Sequence, residues 1–173
     1  MSDIKTLENT YTEYINNHRQ NVQKAWSLMK SNPDCIELIT KNLNTTKESA
    51  IDLIDMLITN HDLSKYSVEE FIPYRKEFYP VSPEEKEENK DNFDAAWKHH
   101  YHNNLHHWNW WYESGNIDNM KLSYVVEMIC DWEAMGYKFG NNSKQYYDQN
   151  KHKIYLGDQQ RLFAEELMNI VCN

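Results

Sequence analysis

A stripe of apolar residues near the start of the chain constrains the fold most: Leu7, Tyr11, Tyr14, Val22, Ala25 and Met29 recur at spacings of three and four. A period of about 3.6 residues places them on one face, so the pattern predicts a helix from about Asp3 to Met29. One vacancy interrupts the stripe, and His18 fills it, so His18 faces inward with the apolar residues.

The pattern continues in kind. Asn32-Pro33 stops the first helix, and a short apolar segment runs from Cys35 to Leu43. Thr45 and Glu48 make a capping-box pattern for the next helix, which is nearly all apolar from Ala50 to Ile58 and so predicts the centre of the fold. It delivers His61-Asp62 at its inner end. Ser67 with Glu70 signals another helix start, and Pro73 breaks or kinks that helix. Ser82-Pro83-Glu84-Glu85 opens a charged helical face, and the helical pattern then runs to about Glu113. A helix from Ser123 to about Met135 turns Val125, Met128, Ile129 and Trp132 inward and stops at Gly136. Two more begin after Ser143 and Asp158, the last with Leu162, Phe163, Leu167, Ile170 and Val171 on its apolar side. The prediction is an all-α bundle of about six or seven helices, one domain over residues 1–173.

Composition narrows the partners. Only four Gly and four Pro punctuate the 173 residues, which disfavours a turn-rich β architecture. A formal charge of −9 argues against a nucleic-acid backbone or an anionic membrane as partner. Cys35, Cys130 and Cys172 are widely spaced, without a CxxC, and read as thiols in a reducing cytoplasm. No apolar run reaches the roughly 18 residues of a membrane span.

Against that background stands a concentration of imidazoles. Five of the eight histidines fall between His99 and His107. A buried imidazole must find a partner, and neutral imidazole is the commonest protein ligand for transition metals. His18 and His61 lie on inward faces, and Asp62 and Asp131 adjoin such faces. A buried carboxylate there needs a cation. If the histidine run is one helix, His100 and His107 share the more apolar stripe with Phe93, Trp97 and Trp111. His99 and His106 occupy the adjacent stripe and are the second choice. His102 reads as exposed or beside the ligands, and His152 as surface. The residues predict a metal site, dinuclear in its fullest form, with Mn, Fe, Co, Zn or Ni all compatible.

The ordered set of His18, His61-Asp62, a histidine of the 99–107 run and Asp131 resembles the HD-domain metalloprotein superfamily. The string His61-Asp62-Leu63-Ser64-Lys65 is similar to its His-Asp-x-Gly-Lys, with Ser64 in place of Gly. His-Asp-Leu-Ser-Lys, the doubled histidines ending in Trp108, and Cys130-Asp131-Trp132 also resemble a family of small bacterial and phage proteins of undefined activity. The superfamily resemblance implies metal-dependent hydrolysis of a phosphate ester or nucleotide. Asp62 would be at the chemical centre, and Lys65 one turn on would neutralise a phosphate oxygen. As a second expectation it admits a di-iron oxygenase, since some HD-fold members use more histidines than most hydrolases do. A non-catalytic protein with an acidic partner-binding surface is the third expectation. Trp108, Trp110, Trp111 and Tyr112 could stack on a nucleobase or simply fill a core or an interface. A homo-oligomer stays open.

Overall fold

The computed structural model describes residues 3–172, and the described residues form ten α-helices, two short 3₁₀ helices and no strand. The α-helices are α1 (Ile4–Ser31), α2 (Pro33–Leu43), α3 (Lys47–Asn60), α4 (Val68–Phe78), α5 (Pro83–Glu88), α6 (Lys90–Asn103), α7 (Trp108–Glu113), α8 (Leu122–Phe139), α9 (Ser143–Asn150) and α10 (Asp158–Val171). The fold class is all-α, as the periodicity predicts. The count exceeds six or seven because the stretch expected as one helix from Ser82 to Glu113 is three. No helix among the described residues is long and apolar enough to cross a membrane.

The helices gather into two compact units. Among the described residues, the first comprises residues 3–19 with Asp62–Asn104. Its core is aromatic: Tyr11, Ile15, Tyr74 and Ala96 are buried, with Tyr14, Phe71, Tyr79, Phe93 and Trp97 packed around them. The charged run is more than a solvated face. Glu85 takes a bidentate pair from Arg75, with Nη1 and Nη2 at 2.8 and 2.9 Å, and so fastens α5 to α4. Asn89 ends α5, and its Nδ2 donates to Pro73 O at 2.8 Å.

The second unit comprises Gln20–His61 and Leu105 onward. Its centre is α8, not α3. Val125, Val126, Ile129 and Cys130 are fully buried, whereas α3 buries only Ala50, Ile54 and Ile58 and leaves Leu53 and Met56 exposed. Apolar content over-predicted the burial of α3, because its period of four turns a single face inward. The cap of α3 is Thr46, one residue later than predicted, whose Oγ1 accepts from Ser49 N at 3.2 Å. Asn32 both ends α1 and caps α2, accepting from Asp34 N.

Gly136 does not stop α8, which runs on to a left-handed Gly140. Asn141 N–H folds back onto Gly136 O at 3.2 Å, the closing bond of a Schellman-type end. A Cβ at position 136 would collide with Asn141 O, so glycine is needed for this return and not for a break. In α10 Phe163, Ala164, Leu167 and Met168 are buried, while Leu162 is exposed and Ile170 and Val171 are half-buried.

Candidate metal centre

The first donor set lies in the first unit. α3 ends at Asn60, His61 caps it at φ −50° and ψ 126°, and Asp62 turns left-handed at φ 57°. Aspartate tolerates that conformation better than most residues, and it reverses the chain into the 3₁₀ turn Leu63–Tyr66. The Asp62 carboxylate is thereby buried between two imidazoles. Its Oδ2 lies 3.6 Å from His18 Nε2 on α1, and its Oδ1 lies 3.4 Å from His100 Nε2 on α6. Lys65 Nζ closes on Oδ2 at 2.7 Å.

The far nitrogen of His100 is held as well: Nδ1 meets Glu70 Oε2 at 2.8 Å. His99 Nδ1 meets the other Glu70 oxygen at 2.7 Å. α4 starts after Ser67 as the sequence signals, but Ser67 makes no side-chain cap bond and Glu70 is fully buried. Burial pushes the Glu70 carboxyl up, but the hydrogen bond and charge of His100, with Ser64 and His99, outweigh it and hold it below its ordinary value. Burial drives His100 down, against the pull of Asp62 and Glu70.

The second set lies in the second unit and repeats the scheme. Glu127 Oε1 on α8 meets His61 Nδ1 at 2.9 Å and His106 Nδ1 at 3.1 Å. The two rings lie 4.4 Å apart. Their Nε2 atoms face the Asp131 carboxylate, each at 3.9 Å. Burial raises the Glu127 carboxyl, while the charge of His106 and hydrogen bonds from both histidines hold it below the ordinary range.

These separations are compatible with a shared ligand position. A contact of 3.4–3.9 Å is too long for a good N–H···O bond. Two donors on one ion with bonds of about 2.1 Å stand ~3.4 Å apart in tetrahedral geometry, and more when the angle opens. In both sets the metal-type contact is on Nε2. In His61 and His100 a glutamate hydrogen-bonds Nδ1, which fixes tautomer and ring orientation, while His106 Nδ1 lies near Glu127 at 3.1 Å. The buried histidine and aspartate groups could hold a metal ion. Thiolate is absent from the donors: Cys130, next to Asp131, points its sulfur to Met29 Sδ at 3.6 Å, and burial raises its thiol.

The remaining residues fall around these sets. The helical phase argument stops at Asn103, where α6 ends, so the pairing of His100 with His107 does not follow from one continuous helix. His106 is buried, His107 is half-buried with its ring 4.2 Å from that of His106, and His99 is half-exposed on Glu70. His102 and His152 are exposed. Trp108 and Trp111 pack on the apolar core of the second unit, and Tyr112 is exposed, stacked on Tyr155 at 4.3 Å. Sequence reasoning missed Glu127 as a partner of the histidines, although it stands one helical turn before Asp131 on the same face. It also read Glu70 as a cap.

The fold and the donors define an all-α protein with buried carboxylate–imidazole groups suited to a metal ion. The chain belongs to a family of unknown function (DUF5662), whose family model matches residues 7–173. No curated protein and no solved structure matches it.

Proposed function

We propose that the two donor sets bind divalent transition-metal ions, and that the protein is an HD-type metal-dependent phosphohydrolase acting on a phosphate ester or nucleotide. The observation that carries the reading is the repeated arrangement around Asp62 and Asp131. In each set imidazole Nε2 atoms face a carboxylate at 3.4–3.9 Å while a buried glutamate holds Nδ1 of one of the rings, that of His100 or of His61. His61 of one set and Asp62 of the other are consecutive in the chain. The order of His18, His61-Asp62, His100 and Asp131 along the sequence supports the likeness to HD domains.

A divalent metal at such a site lowers the pKa of coordinated water towards ~7 and polarises a phosphoryl oxygen. The chain's own groups do the rest. Asp62 supplies negative charge between the His18 and His100 rings; Glu70 keeps the His100 ring from turning, and Glu127 does the same for His61 in the second set. Lys65 locks the Asp62 carboxylate and brings a positive charge to the first set, which in an acidic protein favours an anionic substrate.

A second reading, a di-iron oxygenase, draws on the same richness in buried imidazole: His18, His61, His100 and His106 are all buried. One experiment separates the two. Protein loaded in turn with Mn²⁺, Co²⁺, Zn²⁺ and Fe²⁺ is assayed for release of phosphate from a panel of phosphomonoesters and nucleotides, and for oxygen consumption. Hydrolysis with a redox-inert ion supports the first reading. Oxygen uptake by the iron form, with no hydrolysis by any form, replaces it with the second.

A further inference from the structure

Two phenol hydroxyls in the first unit are left without a function by the donor sets. Tyr11 is fully buried and Tyr74 is 6% exposed, and neither hydroxyl has a hydrogen-bond partner among the described residues. A buried hydroxyl deprived of water is unfavourable, and native structures rarely keep one without a reason. Here two of them are phenols, in one unit, on two different helices.

Their placement is specific. Tyr11 stands two helical turns before His18 on the inward stripe of α1. Tyr74 stands one turn after Glu70 on α4, its ring 5.8 Å from that of His100. Lys65 Nζ lies 5.8 Å from the centre of the Tyr74 ring and 2.7 Å from Asp62 Oδ2. The rings are wedged rather than mobile: Tyr11 packs on Phe71 at 5.1 Å and Tyr79 at 6.0 Å, and Tyr74 packs on Phe93 at 5.1 Å. Burial raises both phenols well above their ordinary value, and the charges of Asp62 and Glu70 raise them further, so each phenol oxygen lies within the field of both carboxylates. Each therefore stays protonated, with an O–H to donate and no protein acceptor to receive it.

We infer that the Tyr11 and Tyr74 hydroxyls, together with the Lys65 ammonium, form an oxyanion pocket beside the His18–Asp62–His100 set that grips the non-bridging oxygens of a phosphoryl group. Rigid O–H donors next to a lysine suit a tetrahedral oxyanion, since each donor meets a different oxygen and none must move to do so. The tyrosines are specificity and positioning residues: they select a terminal phosphate and hold it against the donor set. This inference rests on the phosphohydrolase reading for its substrate, but its residues can be tested without turnover.

The probe is inorganic phosphate. Binding to the metal-loaded protein is measured by calorimetry for wild type, Tyr11→Phe, Tyr74→Phe and the double variant, with metal content and melting temperature recorded alongside. Each substitution deletes one hydroxyl and keeps the ring, so fold and metal content stay as in wild type. The expectation is about a tenfold weaker phosphate affinity for each single variant and about a hundredfold for the double variant, as for loss of hydrogen bonds to a charged group. Affinity unchanged in the double variant would mean that the hydroxyls serve only bound water, and the inference would be wrong. It would also be wrong if wild type bound no phosphate. Weakened phosphate binding in the variants of a protein that hydrolyses no ester would keep the oxyanion pocket and remove the hydrolase.

Discussion

Glu127 Oε1 sits 2.9 Å from His61 Nδ1, with both side chains buried, and so decides which nitrogen of His61 is left for another partner. The Nε2 atom is then the donor, and it faces Asp131. A carboxylate in this position raises the basicity of the ring and stops its rotation.

Glu127→Gln keeps the volume and removes the charge. The metal affinity of the second set should fall by about 10- to 100-fold, the usual cost of losing such a support. Competition with a chromophoric chelator measures it. An affinity equal to wild type would show that Glu127 only fills space.

Asp62 and Lys65 should separate in their effects. Asp62→Asn preserves a residue tolerant of φ 57° while it removes the negative charge between His18 and His100. It should lose metal and abolish turnover. Lys65→Ala should keep its metal and raise KM or lower kcat. The roles are misassigned if Lys65→Ala empties the site while Asp62→Asn retains full metal and activity.

Acid should destabilise the metal-free protein in two stages. Burial holds His100 below its ordinary value of 6.5, so the unfolded chain takes up a proton that the folded one resists. That contribution is complete above pH 6.5 and is lost as the pH falls below it. Asp62, Glu70 and Lys65 face the ring, and the two carboxylates moderate the loss. Glu70 and Glu127 sit below their ordinary 4.5, so their contribution is lost in turn below pH 4.5. Melting temperatures in chelator from pH 8 to pH 4 check both stages. A melting temperature that rises as the pH drops from 7 to 5 would contradict the first.

Much of this was legible from the residues. His18 was visible as the polar vacancy in an apolar stripe, and His61-Asp62 as the end of an apolar helix. The assignment within 99–107 was not, because tertiary contacts end α6: Asn104 Nδ2 donates to Ser64 Oγ at 2.6 Å and to His100 O at 2.8 Å. Periodicity cannot foresee a helix stopped by a partner forty residues away in sequence. Glu70 misled for a similar reason. Three residues after a serine it looks like a cap, and only the fold shows that two imidazoles compete for it. The role of Gly136 depends on the backbone of Asn141, which no local pattern encodes.

Gly136→Ala tests that last point. The new Cβ would meet the backbone carbonyl of Asn141, which is not a flexible side-chain end. Forced shifts of this kind cost about 1–3 kcal/mol, which lowers the melting temperature by roughly 2–10 °C in a protein of this size. Thermal denaturation measures it. An unchanged or raised melting temperature would mean that the α8–α9 connection relaxes freely.

The central claim is that His18, His61, Asp62, His100, His106 and Asp131 are metal ligands. Elemental analysis of protein purified without a histidine tag tests it most directly, with His61→Ala as the control. The account predicts one to two equivalents of a divalent transition metal per chain in wild type, strongly reduced in the variant, and a melting temperature that drops in chelator and recovers on adding metal. No bound metal, together with a melting temperature indifferent to chelator and to added Mn²⁺, Fe²⁺, Co²⁺, Ni²⁺ or Zn²⁺, would contradict it.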